Sequence, residues 1–167
     1  MSTHDAAARH LAEFNVARIR HPLDDPRMAE FVDNVDRVNR LAEKIPGFVW
    51  RLQDESGNAM NMTVYDDPTI LPNLTLWESE QALERFVWQT VHGRFYRRRE
   101  TWCSAMETPL AMWWVKAGER PDMAEGVRRR DHLIAHGPSD YAFGWESLSG
   151  ATLWKSERGM KSNERAA

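Results

Sequence analysis

Two adjacent tryptophans, Trp113 and Trp114, lie inside the apolar run Leu-Ala-Met-Trp-Trp-Val at 110–115. Neighbouring residues of a strand point to opposite faces of a sheet, so both indoles leave water only if both faces are covered. The run therefore predicts a strand buried on both sides, and any fold for this chain must cover each face of one sheet. With 167 residues, one domain is long enough to do so without disulfides or metal staples. Apolar residues at 42% and charged residues at 28% mark a globular chain, and a net charge of -3 gives no bias toward nucleic acid. The single cysteine, Cys103, cannot form an internal disulfide, and the N-terminal residues have no apolar core of a secretory signal. No apolar run approaches the roughly 20 residues needed to span a bilayer. The expectation is a cytoplasmic protein without a membrane partner.

Periodicity divides the chain into alternating elements. Residues 10–19 read as a strand with Ala12, Phe14 and Val16 on one face and Leu11, Glu13 and Asn15 on the other. The first set is expected to pack on helices and the second to be solvated or covered by another subunit. A helix follows the turn at His21 to Pro26: Asp25 can cap it, Pro26 suits its first position, and Met28, Phe31, Val32, Val35, Val38, Ala42 and Ile45 repeat at helical spacing up to Pro46-Gly47. Residues 48–53 alternate as a second strand, and the polar stretch Asp54 to Asn61 is a loop. Residues 73–78 form a third strand with Asn73, Thr75 and Trp77 outward, handing over to a helix capped by Ser79. That helix runs over 80–103 in two pieces broken near Gly93. After the strand at 110–115, Asp122 to Glu125 has capping-box spacing and opens a helix ending near His136-Gly137. Residues 141–148 are a candidate last strand. Composition turns to Gly, Ser, Lys, Glu, Arg and Ala from 149, which predicts a flexible tail over 149–167 behind a domain spanning 10–148.

Strand, helix, strand, strand, helix, strand is the order of a ferredoxin-like fold, an α+β architecture with helices on one face of an antiparallel sheet. The other face needs a cover, and two copies packing face to face would supply it. The expected assembly is a homodimeric α/β barrel enclosing Asn15 and Trp113. Most of the eight tryptophans then belong to the core or the dimer interface.

Few residues carry chemistry. Asn15 is an amide inside a strand, where asparagine is disfavoured, and if buried it must find partners. It can donate to a substrate oxygen or a developing oxyanion, or it can tie down a neighbouring strand. Glu13 on the same face can be a partly buried base with a raised pKa, or the partner of an arginine such as Arg51. His92, next to Gly93, can act as a general base or an iron ligand, or bond a carbonyl at the helix break. Arg97 to Arg99 and Arg128 to Arg130 are flanked by acids and read as solvated helix faces. His132 and His136 stand four apart on one helix without a carboxylate at zinc spacing. Cys103 reads as a small hydrophobe. Glycine-rich phosphate loops, nucleophile elbows and Cys-x-x-Cys pairs are absent from the sequence, so no metal site is expected.

The runs Leu-Ala-Glu-Phe-Asn-Val-Ala-Arg (11–18), Pro-Leu-Asp-Asp-Pro-Arg-Met-Ala-Glu-Phe (22–31), Pro-Gly-Phe-Val-Trp-Arg-Leu (46–52) and Met-Trp-Trp-Val-Lys-Ala-Gly (112–118) resemble the bacterial family labelled domain of unknown function 3291. That family is placed in the dimeric α/β-barrel superfamily, with antibiotic-biosynthesis monooxygenases and haem-degrading monooxygenases. Haem-degrading members use an Asn on the first strand, a Trp on the helix after the third strand and a later His as iron ligand. The segment Leu76 to Leu83 is similar to their strand-to-helix junction, and the three positions fall on Asn15, Phe86 and His92. By this resemblance the pocket holds a small apolar or aromatic substrate, lined by Phe86, Trp77, Trp113 and Tyr96.

Two classes of function follow. In the first, the barrel oxidises an electron-rich phenol with molecular oxygen and no cofactor, with Asn15 orienting the oxyanion and His92 or Glu13 taking the proton. Cyclisation, dehydration or isomerisation could use the same groups. In the second, the dimer binds haem through His92, or another flat molecule, without turning it over.

Overall fold

The computed structural model describes residues 8–156. Of the expected tail, residues 157–167 lie outside them. The central strand is β1 (Arg9–Ile19), paired antiparallel on both edges. On one side it meets β3 (Ile70–Trp77), with Leu11 opposite Trp77, Glu13 opposite Thr75 and Asn15 opposite Asn73. On the other it meets β5 (Leu110–Lys116), with Leu11 opposite Trp114, Glu13 opposite Met112 and Asn15 opposite Leu110. The far end of β1 pairs with the short β4 (Cys103–Ser104), and β2 (Phe48–Arg51) closes the other edge on β3 through an irregularity between Phe48 and Trp50. The order β2-β3-β1-β5 is antiparallel throughout, which is the ferredoxin-like sheet of an α+β protein.

Three helices cover the face bearing Leu11, Glu13 and Asn15. The first is α1 (Ala29–Ala42), where Phe31, Val38 and Ala42 are buried at helical spacing. Asp25 accepts from Arg27 N and so caps a 3-10 turn, Pro26–Met28, that leads into it. The second is α2 (Glu80–Gln89), capped by Ser79, whose hydroxyl accepts from Ala82 N at 3.2 Å. The third is α3 (Val91–Arg97). Leu11, Trp77 and Met112 of the sheet pack with Val38, Ala42, Leu83 and Phe86 in one core, each buried leucine or phenylalanine worth roughly 2 kcal/mol.

The opposite face is covered within the same chain. Ala12, Phe14, Trp113 and Val115 pack against Met123 and Val127 of α4 (Met123–His136) and against Leu52, Val64 and Tyr65 of the long loop. Asp122 accepts from Glu125 N at 2.7 Å to start α4, and Gly137, at φ 78°, ends it. Gly126 lets α4 come close: a Cβ there would stand 2.5 Å from the Phe14 ring. Arg130 is buried and bridges α4 to the Thr108 carbonyl at 2.7 Å and the Tyr65 hydroxyl at 2.9 Å.

Several expectations change accordingly. Helices lie on both faces of the sheet, because α4 occupies the one opposite α1 to α3. The Glu13 and Asn15 face, expected to await a second subunit, lies under α1, α2 and α3, and Asn73, Thr75 and Trp77 point inward with it. The helical break falls at Thr90, whose hydroxyl accepts from His92 N at 3.1 Å and donates to the Phe86 carbonyl at 2.6 Å. Gly93 instead lies within α3, where a Cβ would stand 3.1 Å from the Trp88 carbonyl. Residues 141–148 contribute a single bridge, Phe143 to Met112, and a 3-10 turn, Trp145–Ser147, rather than a strand. Residues 149–156 are packed: Ala151 joins the core, Trp154 lies against it, and the buried Glu84 carboxylate accepts from the backbone N–H of Thr152 and Leu153. Among the described residues, no helix is long and apolar enough to cross a membrane.

Candidate active site

Alternation along β1 and β3 assembles a polar row between the sheet and the helices. Glu13, Asn15, Asn73, Thr75 and Trp77 share one face by register. Asn15 Nδ2 donates to Glu13 Oε1 at 2.7 Å, and Thr75 Oγ1 donates to Glu13 Oε2 at 3.2 Å. Trp77 Nε1 in turn donates to Thr75 Oγ1 at 2.9 Å. Glu13, Thr75 and Trp77 are all buried, with Glu13 only 7% exposed. Burial raises the Glu13 carboxyl from 4.5 to about 7, and the bonds from Asn15 and Thr75 pull the other way without restoring it. A carboxyl in that range holds or releases a proton at neutral pH, the property a general base needs.

Arg51 does not neutralise it. The guanidinium is directed to Glu43 Oε1 at 2.9 Å and to the Gly57 carbonyl at 2.7 Å, so the Glu13–Arg51 pair open from the sequence is not formed. Asn15 and Asn73 are half-buried neighbours across the ladder. Among the described residues, Asn15 spends only one N–H, and the Asn73 side chain makes no hydrogen bond. Two amides with unused donors and acceptors therefore stand beside the buried carboxyl.

Aromatic rings continue from this row into the helices. Trp77 meets Phe48 edge-on at 5.4 Å and stacks on Phe86 at 5.1 Å. Phe86 lies 4.8 Å from His92, which stacks with Tyr96 at 6.1 Å. Because a carbonyl can only accept, the contact of His92 Nδ1 with the Val87 oxygen at 3.0 Å assigns the proton to Nδ1. Desolvation lowers the His92 pKa, the Val87 bond opposing it, so the ring is a neutral group here.

A cleft of about 480 Å³ opens beside β5, walled by Trp88, Tyr96, Leu110, Leu133, Trp145 and Trp154 among others. Leu110 is the cross-strand neighbour of Asn15, so the cleft borders the polar row, although Glu13, Asn15, Phe86 and His92 are not in its wall. Haem held by His92 does not fit the wide cleft: the Val87 bond leaves Nε2 free, but the ring is flanked by Phe86 and Tyr96 and is absent from the cleft wall.

The sequence-predicted residues thus divide. Glu13 and Asn15 are in direct contact, Trp77 joins them through Thr75, and Phe86 and His92 follow through ring contacts. Tyr96 reaches the cleft. Trp113 points to the other face, fully buried near Arg129, because Leu110, Met112 and Trp114 are the β5 residues that share a face with Asn15. Thr75 and Asn73 were missed as site residues. Their signal was the polar alternation Asn73, Thr75 within an otherwise apolar strand, which matches that of Glu13 and Asn15.

Fold and site together define a ferredoxin-like α+β protein with a buried, hydrogen-bonded polar row between sheet and helices. The chain belongs to the family Domain of unknown function (DUF3291), whose model matches residues 10–159. No curated protein matches it. Solved structures similar to it include SnoaB, a cofactor-independent oxygenase from Streptomyces nogalater, at 16% identity over 68% of this chain and 97% of that one, with a TM-score of 0.43. Another is the monooxygenase ActVA-Orf6 of Streptomyces coelicolor in complex with nanaomycin D, at 14% identity over 69% and 91%, with a TM-score of 0.38. A protein of unknown function from Nitrosomonas europaea matches at 14% identity over 70% and 98%, with a TM-score of 0.44.

Proposed function

We propose that this protein is an enzyme of the monooxygenase-like kind, acting without an organic cofactor on a small aromatic substrate held beside the Glu13 row. The observation that carries the reading is a buried carboxyl poised near neutral pH, bonded among the described residues by the neutral donors Asn15 and Thr75 and adjoining two amides with unused hydrogen-bonding capacity. Glu13 takes a proton from an activated CH2 group of an electron-rich phenolic ketone. Asn15 and Asn73 hold the oxygen on which negative charge collects. The resulting carbanion passes its electrons to molecular oxygen, forming a C–O bond to a hydroperoxide. Loss of water then leaves a carbonyl, so CH2 and O2 become C=O and H2O, with the substrate as the only reductant.

The test is an oxygen-uptake screen over phenols and hydroxyaryl ketones with wild type, Glu13→Gln and Asn15→Ala. Turnover should rise with pH through an inflection near 7 and be lost in Glu13→Gln. Undiminished turnover in that variant would remove Glu13 as the base. Product formed equally well without oxygen would move the reaction to an isomerase or cyclase using the same groups. A second copy could cover the recess of about 420 Å³ that His10, Val49, Leu76 and the loop at Gly118 to Arg120 line. Light scattering decides whether it pairs.

A further inference from the structure

We propose that Thr75, oriented by Trp77, is a positioning residue that sets the protonation of Glu13 and so the pH range in which the site takes a proton. The inference rests on the reading of Glu13 as the base. An indole N–H can only donate, and that of Trp77 is directed to Thr75 Oγ1 at 2.9 Å. That bond takes one of the two lone pairs of the oxygen, and the single hydroxyl hydrogen of Thr75 is directed to Glu13 Oε2, 3.2 Å away. Neither side chain has room to choose otherwise, since Thr75 is 5% exposed and Trp77 is fully buried. Trp77 is itself clamped between the edge contact of Phe48 and the stacked ring of Phe86. A hydroxyl fixed in the donating sense favours the carboxylate and counters its desolvation.

Among the described residues, nothing charged offers a substitute. On β2 the Arg51 guanidinium is held by Glu43 and Gly57, and β5 places Met112 opposite Glu13. Val38 and Ala42 are what α1 contributes to the shared core, and the Glu84 carboxylate of α2 is bound by the backbone of Thr152 and Leu153. His92 of α3 is bonded to the Val87 carbonyl. The control of Glu13 therefore falls to its two neutral donors, Asn15 and Thr75. It also follows that the Trp77 N–H is spent on this role and not on substrate.

Infrared titration of the protonated carboxyl band, assigned to Glu13 by its absence from Glu13→Gln, tests the inference without any turnover. Thr75→Val keeps the shape and removes the donor, so the Glu13 titration should move up by about one pH unit. Trp77→Phe should move it the same way by less, and Thr75→Ser should leave it near wild type. An unmoved titration in Thr75→Val overturns the proposal. So does a Thr75→Ser shift as large as that of valine, which would assign the effect to packing. If the band behaves as expected while no substrate consumes oxygen, the catalytic reading fails and the role of Thr75 stands.

Discussion

Replacing Glu13 by glutamine should remove an acid–base signature from the stability of the fold. The carboxyl lies at 4.5 when free and at about 7 in the fold. Between those values the folded chain keeps a proton that the unfolded chain has released, so stability falls as pH rises. Each pH unit is worth about 1.4 kcal/mol for one proton, and the interval amounts to about 3 kcal/mol lost by pH 8. The stabilising contribution of the protonated form is complete below 4.5 and gone above about 7. Glutamine cannot ionise and lacks this dependence. Urea unfolding of wild type and Glu13→Gln at several pH values from 5 to 8.5 isolates it, since the other titrating groups cancel in the difference. At an ordinary urea dependence, the wild-type midpoint should fall relative to the variant by roughly 1–2 M across the range. A difference that stays constant with pH would mean that Glu13 is ionised throughout and is not a base poised near neutrality.

Other consequences can be checked separately. Gly126→Ala places a methyl into the Phe14 ring, which is fully buried and cannot retreat; thermal unfolding should show a loss of about 1–3 kcal/mol, and an unchanged midpoint would mean α4 can lift from the sheet. Glu84→Ala leaves the backbone donors of Thr152 and Leu153 unpaired and should make trypsin cleavage after Lys155 several-fold faster in limited proteolysis. Haemin titration should give no saturating Soret shift that His92→Ala removes; one haem per chain, lost in the variant, would reinstate His92 as an iron ligand.

Much of this architecture was legible along the chain. Asp25, Ser79 and Asp122 cap where their short polar side chains precede apolar periodicity, because capping depends on bonds only two or three residues away. The order of strands and helices carried the ferredoxin-like topology for a similar reason, since period 2 and period 3.6 are local properties. The break at Thr90 was harder to read, because glycine is the usual signal for an interruption and here the hydroxyl of Thr90 makes it. Residues 149–156 have the composition of a tail yet are held by Glu84 and by the core around Ala151, contacts with partners far away in sequence.

Glu13 and Asn15 could be picked out from the sequence because polar groups inside a strand need an explanation. Alternation alone also put them on one face. What alternation cannot state is which face receives which cover. Within each strand, alternation separates Glu13 and Asn15 from Ala12, Phe14 and Val16, and Thr75 and Trp77 from Leu74 and Leu76, and the pair Trp113 and Trp114 calls for cover on both faces of the sheet. Only the tertiary structure decided that α1 to α3 close over the polar set while α4 covers the apolar one, and that Trp113 belongs with the latter. The reason is that face parity is written in consecutive residues, whereas register and layer order come from pairings across the chain. Desolvation, which brings Glu13 to about 7, exists only once those layers have closed.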